Sequence, residues 1–193
     1  GGRRGMCVFI SRERGTGRGC VCGLNGEAGR GTSGNAGGIG HIVVDPDGPL
    51  CACGLRGCVK SSAIPQVLVA EAVAAGILDG SGKDASGAEV QQSFAQLCDL
   101  ADAGDPKALA IIDTSAVLVA RAVSVVTNTL DVERVVFGGP FWSRIADRYL
   151  AKIPALVDAN SAARLIHPTE GVGPGVGGAV GAVGGPCRGL EHT

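Results

Sequence analysis

The feature that most constrains this chain is a short block of residues able to ligate a metal. His41 is followed after nine residues by Cys51-Ala52-Cys53, and after four more by Cys58. Three thiolates and one imidazole form a complete tetrahedral set for zinc, and four protein ligands leave no open coordination position, so an ion held this way is structural and does not activate water. Any fold must therefore bring His41 back onto the cysteines. Gly54 and Gly57 are placed to let the backbone turn so that Cys58 reaches the same ion as Cys51 and Cys53. The alternative is three unligated cysteines on a glycine-rich loop. Clustering favours metal over disulfides: Cys51, Cys53 and Cys58 crowd together while Cys98 and Cys187 stand alone, and no secretory signal is read at the start. Cys20 and Cys22 alternate on an expected strand and so share a face, but no further ligand lies near them.

The 193 residues carry 17 basic and 18 acidic side chains, with no basic tail or stripe. That balance argues against a chain built to neutralise phosphates, and no nucleic-acid contact is expected from this segment. Hydrophobic residues make up 45% of the chain and charged ones 18%, enough to bury a core. Aromatics are only 3%, so the core is expected to be Val, Ala, Leu and Ile, and the 33 glycines imply many tight turns. No run is read as approaching the roughly 20 apolar residues of a membrane helix, and the expected location is the cytoplasm. The chain opens on Gly1-Gly2-Arg3 without an initiator Met and reads as a fragment.

Along the chain, residues 6 to 10 and 20 to 24 are apolar and β-prone, flanking Arg14-Gly15-Thr16-Gly17-Arg18-Gly19 as strand, glycine turn and strand. Bare amides there and the Thr16 hydroxyl suit phosphate oxygens, although such glycines are also plain turn formers. Asn25-Gly26 is a hairpin signal. Gly29 to Gly40 reads as loop, His41 to Val44 as a short strand, and Asp45-Pro46-Asp47-Gly48 as a turn leading to the cysteines. Pro65 opens a helix that runs to about Ala75 and stops at Gly76, and the spacing of Val90, Phe94, Leu97 and Leu100 gives a second helix over 89 to 103. Asp105-Pro106 opens the longest helix, to Asn128. Val135-Val136-Phe137 reads as a buried strand ending in Gly138-Gly139, where the glycines either approach a nucleotide or merely cap the strand. A helix over 142 to 157 interrupted by Pro154, a strand at 164 to 166, and a glycine-rich loop over 171 to 183 turning into a terminal helix complete an α/β pattern in one domain, residues 1 to 193.

The run Arg30-Gly31-Thr32-Ser33-Gly34-Asn35-Ala36-Gly37-Gly38-Ile39-Gly40-His41-Ile42, followed by Asp45-Pro46-Asp47-Gly48 and Cys51-Ala52-Cys53-Gly54-Leu55-Arg56-Gly57-Cys58, closely resembles the ROK family of repressors, open reading frames and sugar kinases. Gly15-Thr16-Gly17 is similar to the family's second phosphate loop, and Val135 to Gly139 to its adenosine-side strand and turn. The resemblance implies an actin-like, ribonuclease H-like fold, here mainly its C-terminal lobe, with zinc on His41, Cys51, Cys53 and Cys58. It also implies ATP and magnesium as cofactors, a hexose such as glucose as ligand, and a homodimer.

Family kinases deprotonate a sugar hydroxyl with an Asp in an Asn-Asp motif of the N-terminal half. No matching motif is read here, so no catalytic residue is assigned. The family's sugar-binding Glu in Ala-Gly-Glu-x-Gly-His corresponds to Gly38, and the Glu two places after the last zinc cysteine corresponds to Lys60. Glycine offers no side-chain acceptor and lysine only donors, so the substrate positions His41, Gly38 and Lys60 retain one family residue of three. Arg18 stands where the family usually keeps an apolar residue. The expected function is a sugar-kinase-like protein lacking its N-terminal lobe; the alternative is the sugar-sensing domain of a ROK transcriptional regulator, a class that tolerates loss of catalytic groups. His167 and Trp142 carry structural expectations, a surface histidine and helix packing.

Overall fold

The computed structural model describes residues 7–12, 18–24, 27–28, 32, 38–80, 87–130, 134–137, 141–160 and 180–182. Three strands come first: β1 (Cys7–Arg12), β2 (Arg18–Leu24) and β3 (Glu27–Ala28). β1 and β2 run antiparallel, with Arg12 opposite Arg18. β2 and β3 are also antiparallel, and Leu24 opposite Glu27 leaves only Asn25 and Gly26 between them, the length that the Asn-Gly signal implies. Later strands β4 (Arg134–Phe137) and β5 (Val180–Ala182) join in parallel, giving the sheet order β3-β2-β1-β4-β5. Val180–Ala182 thus corrects the glycine-rich loop expected over 171 to 183 at those three residues; the rest of that loop and the expected terminal helix lie outside the described residues. Three small or β-branched residues pair in parallel with β4, and the ladder outweighs the local glycine bias. The expected strand at 164 to 166 lies outside the described residues.

Helices account for most of what is described. Between β3 and β4 come a 3-10 turn at Ile39–His41, then α1 (Val59–Ser62), α2 (Pro65–Ala74), α3 (Gly87–Asp102) and α4 (Pro106–Leu130). α5 (Trp142–Asn160) separates β4 from β5. The strand expected over His41 to Val44 is instead the end of the 3-10 turn plus a single antiparallel bridge, Val43 with Cys58. Its β-branched residues find one partner residue and no ladder to extend.

Pro65 fits the first turn of α2, where its missing N–H costs nothing, and Gly76 closes the helix at φ +72°. α3 buries Val90, Phe94, Leu97, Cys98 and Ala101, one stripe at helical spacing, and Gly104 ends the turn after it at φ +90°. Asp105 caps α4: its Oδ1 accepts from the N–H groups of Lys107 at 2.9 Å and Ala108 at 2.8 Å.

α4 packs against α2, α3 and α5 and carries much of the core, including Ile112, Ala116, Leu118, Val119, Ala120, Val123 and Val126. The expectation that no run is apolar enough for a membrane helix needs correcting: an 18-residue stretch within Pro106–Thr129 has a mean hydropathy of 1.9, enough by length and composition alone, and half of that stretch is buried inside the fold, as in the core helix of a globular domain. α5 runs unbroken through Pro154. A mid-helix proline forfeits a backbone hydrogen bond, but the stripe Trp142, Ile145, Tyr149, Ile153 and Val157 is buried on both sides of it, so packing keeps the helix continuous. The few aromatics gather here. Phe137 of β4 stacks on Trp142 with ring centroids 4.7 Å apart, Trp142 meets Tyr149 edge-on at 6.1 Å, and Phe141 meets Phe94 at 5.3 Å. Trp142 is a packing residue, as expected.

Candidate metal centre

The segment from Gly38 to Ser62 is built around a tight knuckle. Cys51 N–H donates to Leu55 O at 2.7 Å and Gly54 N–H returns to Cys51 O at 2.9 Å, so the chain reverses within a few residues. Gly54 (φ +91°) and Gly57 (φ +64°) supply the left-handed conformations this reversal needs. Gly57 has a second constraint: a Cβ built there would lie 1.4 Å from Asp45 O. Its carbonyl accepts from Val44 and Asp45, and its N–H donates to Pro49 O at 2.9 Å. Glycine is thus required at 57 by close approach as well as by backbone conformation.

The knuckle delivers four donor atoms to one place. The ligand atoms of His41, Cys51, Cys53 and Cys58 all lie within 4.8 Å of one another. Cys51 Sγ is 3.6 Å from His41 Nδ1, and Cys53 Sγ is 3.7 Å from Cys58 Sγ. These spacings can be compared with an ideal tetrahedral ion. Zinc–sulfur bonds of about 2.3 Å and zinc–nitrogen bonds of about 2.05 Å set sulfur–sulfur edges of about 3.8 Å and sulfur–nitrogen edges of about 3.6 Å. The donor set therefore fits such an ion in kind and number, and these two edges match it in length.

Local electrostatics differ among the thiols. Cys51 is lowered to about 7, chiefly because the Cys53 backbone donates to its sulfur, with the side chains of Cys53, His41 and Cys58 adding to the effect against burial. Cys58 is pushed up to about 12, first by burial and then by the two neighbouring thiols. Cys51 and Cys58 are buried, while Cys53 and His41 are exposed.

The expected substrate positions lie on the two elements that flank the knuckle. Gly38 precedes the 3-10 turn and His41 ends it, both exposed; Lys60 is exposed on α1. Val59 N–H donates to Ile42 O at 3.0 Å, which holds the start of α1 against the end of the 3-10 turn. On the same helix Ser62 is buried, and its hydroxyl finds no hydrogen-bond partner among the described residues. The expected nucleotide positions Gly15, Thr16, Gly17, Gly138 and Gly139 lie outside the described residues.

Sequence reading missed what braces the site from below. Arg121, on α4, donates through Nη1 to Val44 O at 2.8 Å across 77 positions, and Arg56 Nη1 reaches Gly48 O at 3.4 Å. No local pattern marks a contact so distant, although a lone arginine inside the apolar run of α4 is an anomaly that could have drawn attention.

Comparison with known proteins settles the lineage. Residues 3–187 match the ROK family. This chain belongs to the ROK family. The N-acetylmannosamine kinase of Citrobacter koseri is 37% identical over 146 residues, covering 76% of this chain and 44% of that kinase. A solved ROK family glucokinase from Streptomyces griseus, in complex with glucose and AMPPNP, superposes with TM-score 0.62 at 25% identity, over 80% of this chain and 51% of that one. A solved ROK family transcriptional regulator, a homolog of the E. coli MLC protein, superposes with TM-score 0.64 at 26% identity, over 82% and 39%. The chain thus spans about half the length of the ROK proteins it matches. The α/β class expected from the sequence agrees with this kinship, as does the mixed sheet of three antiparallel strands extended by two parallel ones.

Proposed function

We propose that this chain is the zinc-stabilised, sugar-facing part of a ROK sugar-kinase-like protein, the single domain 1–193 being one ROK-type unit. The observation that carries the reading is the 37% identity to an N-acetylmannosamine kinase across 76% of the chain. The knuckle supports it, because His41, Cys51, Cys53 and Cys58 offer zinc a closed tetrahedral set beside Gly38, His41 and Lys60. Zinc, when bound, supplies closure of the loop and no reactive position. The residues themselves do the rest: the Val59–Ile42 hydrogen bond holds the 3-10 turn against α1 and the Arg121 clasp ties Val44 to α4, so a ligand meets a preset surface.

Sugar phosphorylation with ATP and magnesium is the activity proposed for the whole protein, with Gly15, Thr16, Gly17, Gly138 and Gly139 as its nucleotide-facing residues. The kinship makes N-acetylmannosamine the first sugar to test, ahead of glucose. Because Gly38 and Lys60 replace the two carboxylates that resemblance places on the sugar and no Asn-Asp motif is read, this chain alone is expected to bind sugar weakly and to transfer no phosphoryl group. Titration calorimetry of the zinc-loaded chain with N-acetylmannosamine, glucose and an ATP analogue tests this. Sugar binding in the micromolar to millimolar range supports the reading; no heat with any of the three ligands removes it.

The second reading, a sugar-sensing domain of a ROK regulator, rests on the superposition on the regulator, whose TM-score of 0.64 equals that of a ROK hexokinase from Thermus thermophilus. Sugar binding without nucleotide binding would select it. A homodimer is proposed for either case, and light scattering at micromolar concentration decides it.

A further inference from the structure

Cys53 is the exposed thiol of the donor set, whereas Cys51 and Cys58 are buried. Its sulfur lies 3.7 Å from that of Cys58, and a disulfide needs about 2.05 Å, so closing the bond asks the two sulfurs to approach by under about 2 Å. Between the two residues stand Gly54 and Gly57, both at positive φ, in a stretch with no strand ladder, whose regular pairings are the isolated bridges of Leu50 with Arg56 and Val43 with Cys58. We infer that the knuckle is a redox-sensitive clasp: a peroxide oxidises Cys53, Cys58 resolves it as a Cys53–Cys58 disulfide, and the metal is released. This rests on the zinc reading of the site.

The chemistry balances as follows. The Cys53 thiolate attacks one peroxide oxygen; the sulfur–oxygen bond forms, the oxygen–oxygen bond breaks, and hydroxide leaves, giving a sulfenic acid. The Cys58 thiolate then attacks the Cys53 sulfur, forming the sulfur–sulfur bond and expelling a second hydroxide. Both hydroxides take up a proton to become water, so two thiolates give two electrons to one peroxide. Zinc loses two of its four ligands in the same event, and a His-plus-thiolate remainder holds it far more weakly. A thiol reductant reverses the reaction and lets the metal return.

The consequence reaches the neighbouring surface. Cys58 pairs with Val43, Gly57 O accepts from Val44 and Asp45, and the next residue, Val59, donates to Ile42. Releasing the ion loosens the hold of α1 on the 3-10 turn, the elements that carry Lys60, Gly38 and His41.

The test uses the full chain purified under reducing conditions. Metal analysis comes first, then one equivalent of hydrogen peroxide is added with a chromogenic zinc chelator present, followed by intact mass and peptide mapping. The expected result is zinc before oxidation, its release with peroxide, a loss of about 2 Da located in a Cys53–Cys58 crosslink, and recovery of both zinc and mass after dithiothreitol. A chain that carries no zinc at the outset sinks the metal reading and this inference together. A zinc-loaded chain that keeps its metal under peroxide, or loses it with the crosslink elsewhere, leaves the metal reading standing and overturns the redox clasp alone.

Discussion

Gly54 and Gly57 were both marked by the sequence as turn residues, yet their substitution should have very different outcomes. Alanine at Gly54 meets nothing within 4 Å and bears only the strain of φ +91°, a cost on the order of 1–2 kcal/mol. At Gly57 the added Cβ collides with the Asp45 backbone, which cannot step aside without breaking the Val44 and Asp45 hydrogen bonds. We expect Gly57→Ala to abolish metal retention and Gly54→Ala to keep it, with metal content of the two purified variants as the readout; equal retention would show that the close approach is not limiting. Spacing alone reveals glycines that turn, whereas a glycine that must touch another backbone is visible only once the fold is known. Cys98 gives a pH prediction at the same scale. Burial pushes its thiol up to about 11 from an ordinary 9.0, against the pull of Arg144. With the folded value raised, the stabilisation is complete below pH 9 and is lost as pH rises toward 11. Urea midpoints of the parent chain should fall across that window more steeply than those of Cys98→Ala; parallel curves would contradict the assignment.

At the scale of elements, helices with a periodic apolar stripe and clear end signals were legible: α3 and α4 begin and end within about two residues of where Val90 to Leu100, Asp105-Pro106 and Gly104 place them. The Asp105 cap makes that legibility testable. Asp105→Ala removes the acceptor for two orphan N–H groups and should cost about 1 kcal/mol of unfolding free energy, whereas Asp105→Ser should recover most of it. Two expectations failed where tertiary contacts outweigh local rules. Pro154 does not break α5 because Ile153 and Val157 bury against the core beside it, and Val180–Ala182 forms a strand because β4 offers a parallel edge. Neither partner is near in sequence, so no local pattern could have announced it. The His41 to Val44 segment failed differently: its composition is strand-like, but His41 ends a 3-10 turn and only Val43 finds a partner, in the single bridge to Cys58.

For the whole molecule, the convergence of His41, Cys51, Cys53 and Cys58 was legible in residue type and spacing, while the Arg121 clasp on the same segment was not. If zinc occupies the site as proposed, stripping it should loosen the knuckle first and the helical core little. Chelation is expected to lower the melting temperature and to increase amide exchange over residues 42–59, leaving α3 and α5 protected; acidification should mimic it, since protons compete with the ion for thiolates and imidazole. Uniform exchange across the chain would show that the knuckle and the core unfold as one. Finally, α4 has an implication for how the protein is made. The chain reaches Leu130 before any of α5 is made, so until some thirty further residues are added and folded the apolar face of Pro106–Leu130 lacks the helix that covers it. A purified chain ending at Leu130 should then bind an apolar dye that the full chain does not, and completion of α5, with its buried Tyr149 hydroxyl on Ser115, is what commits that face to the interior.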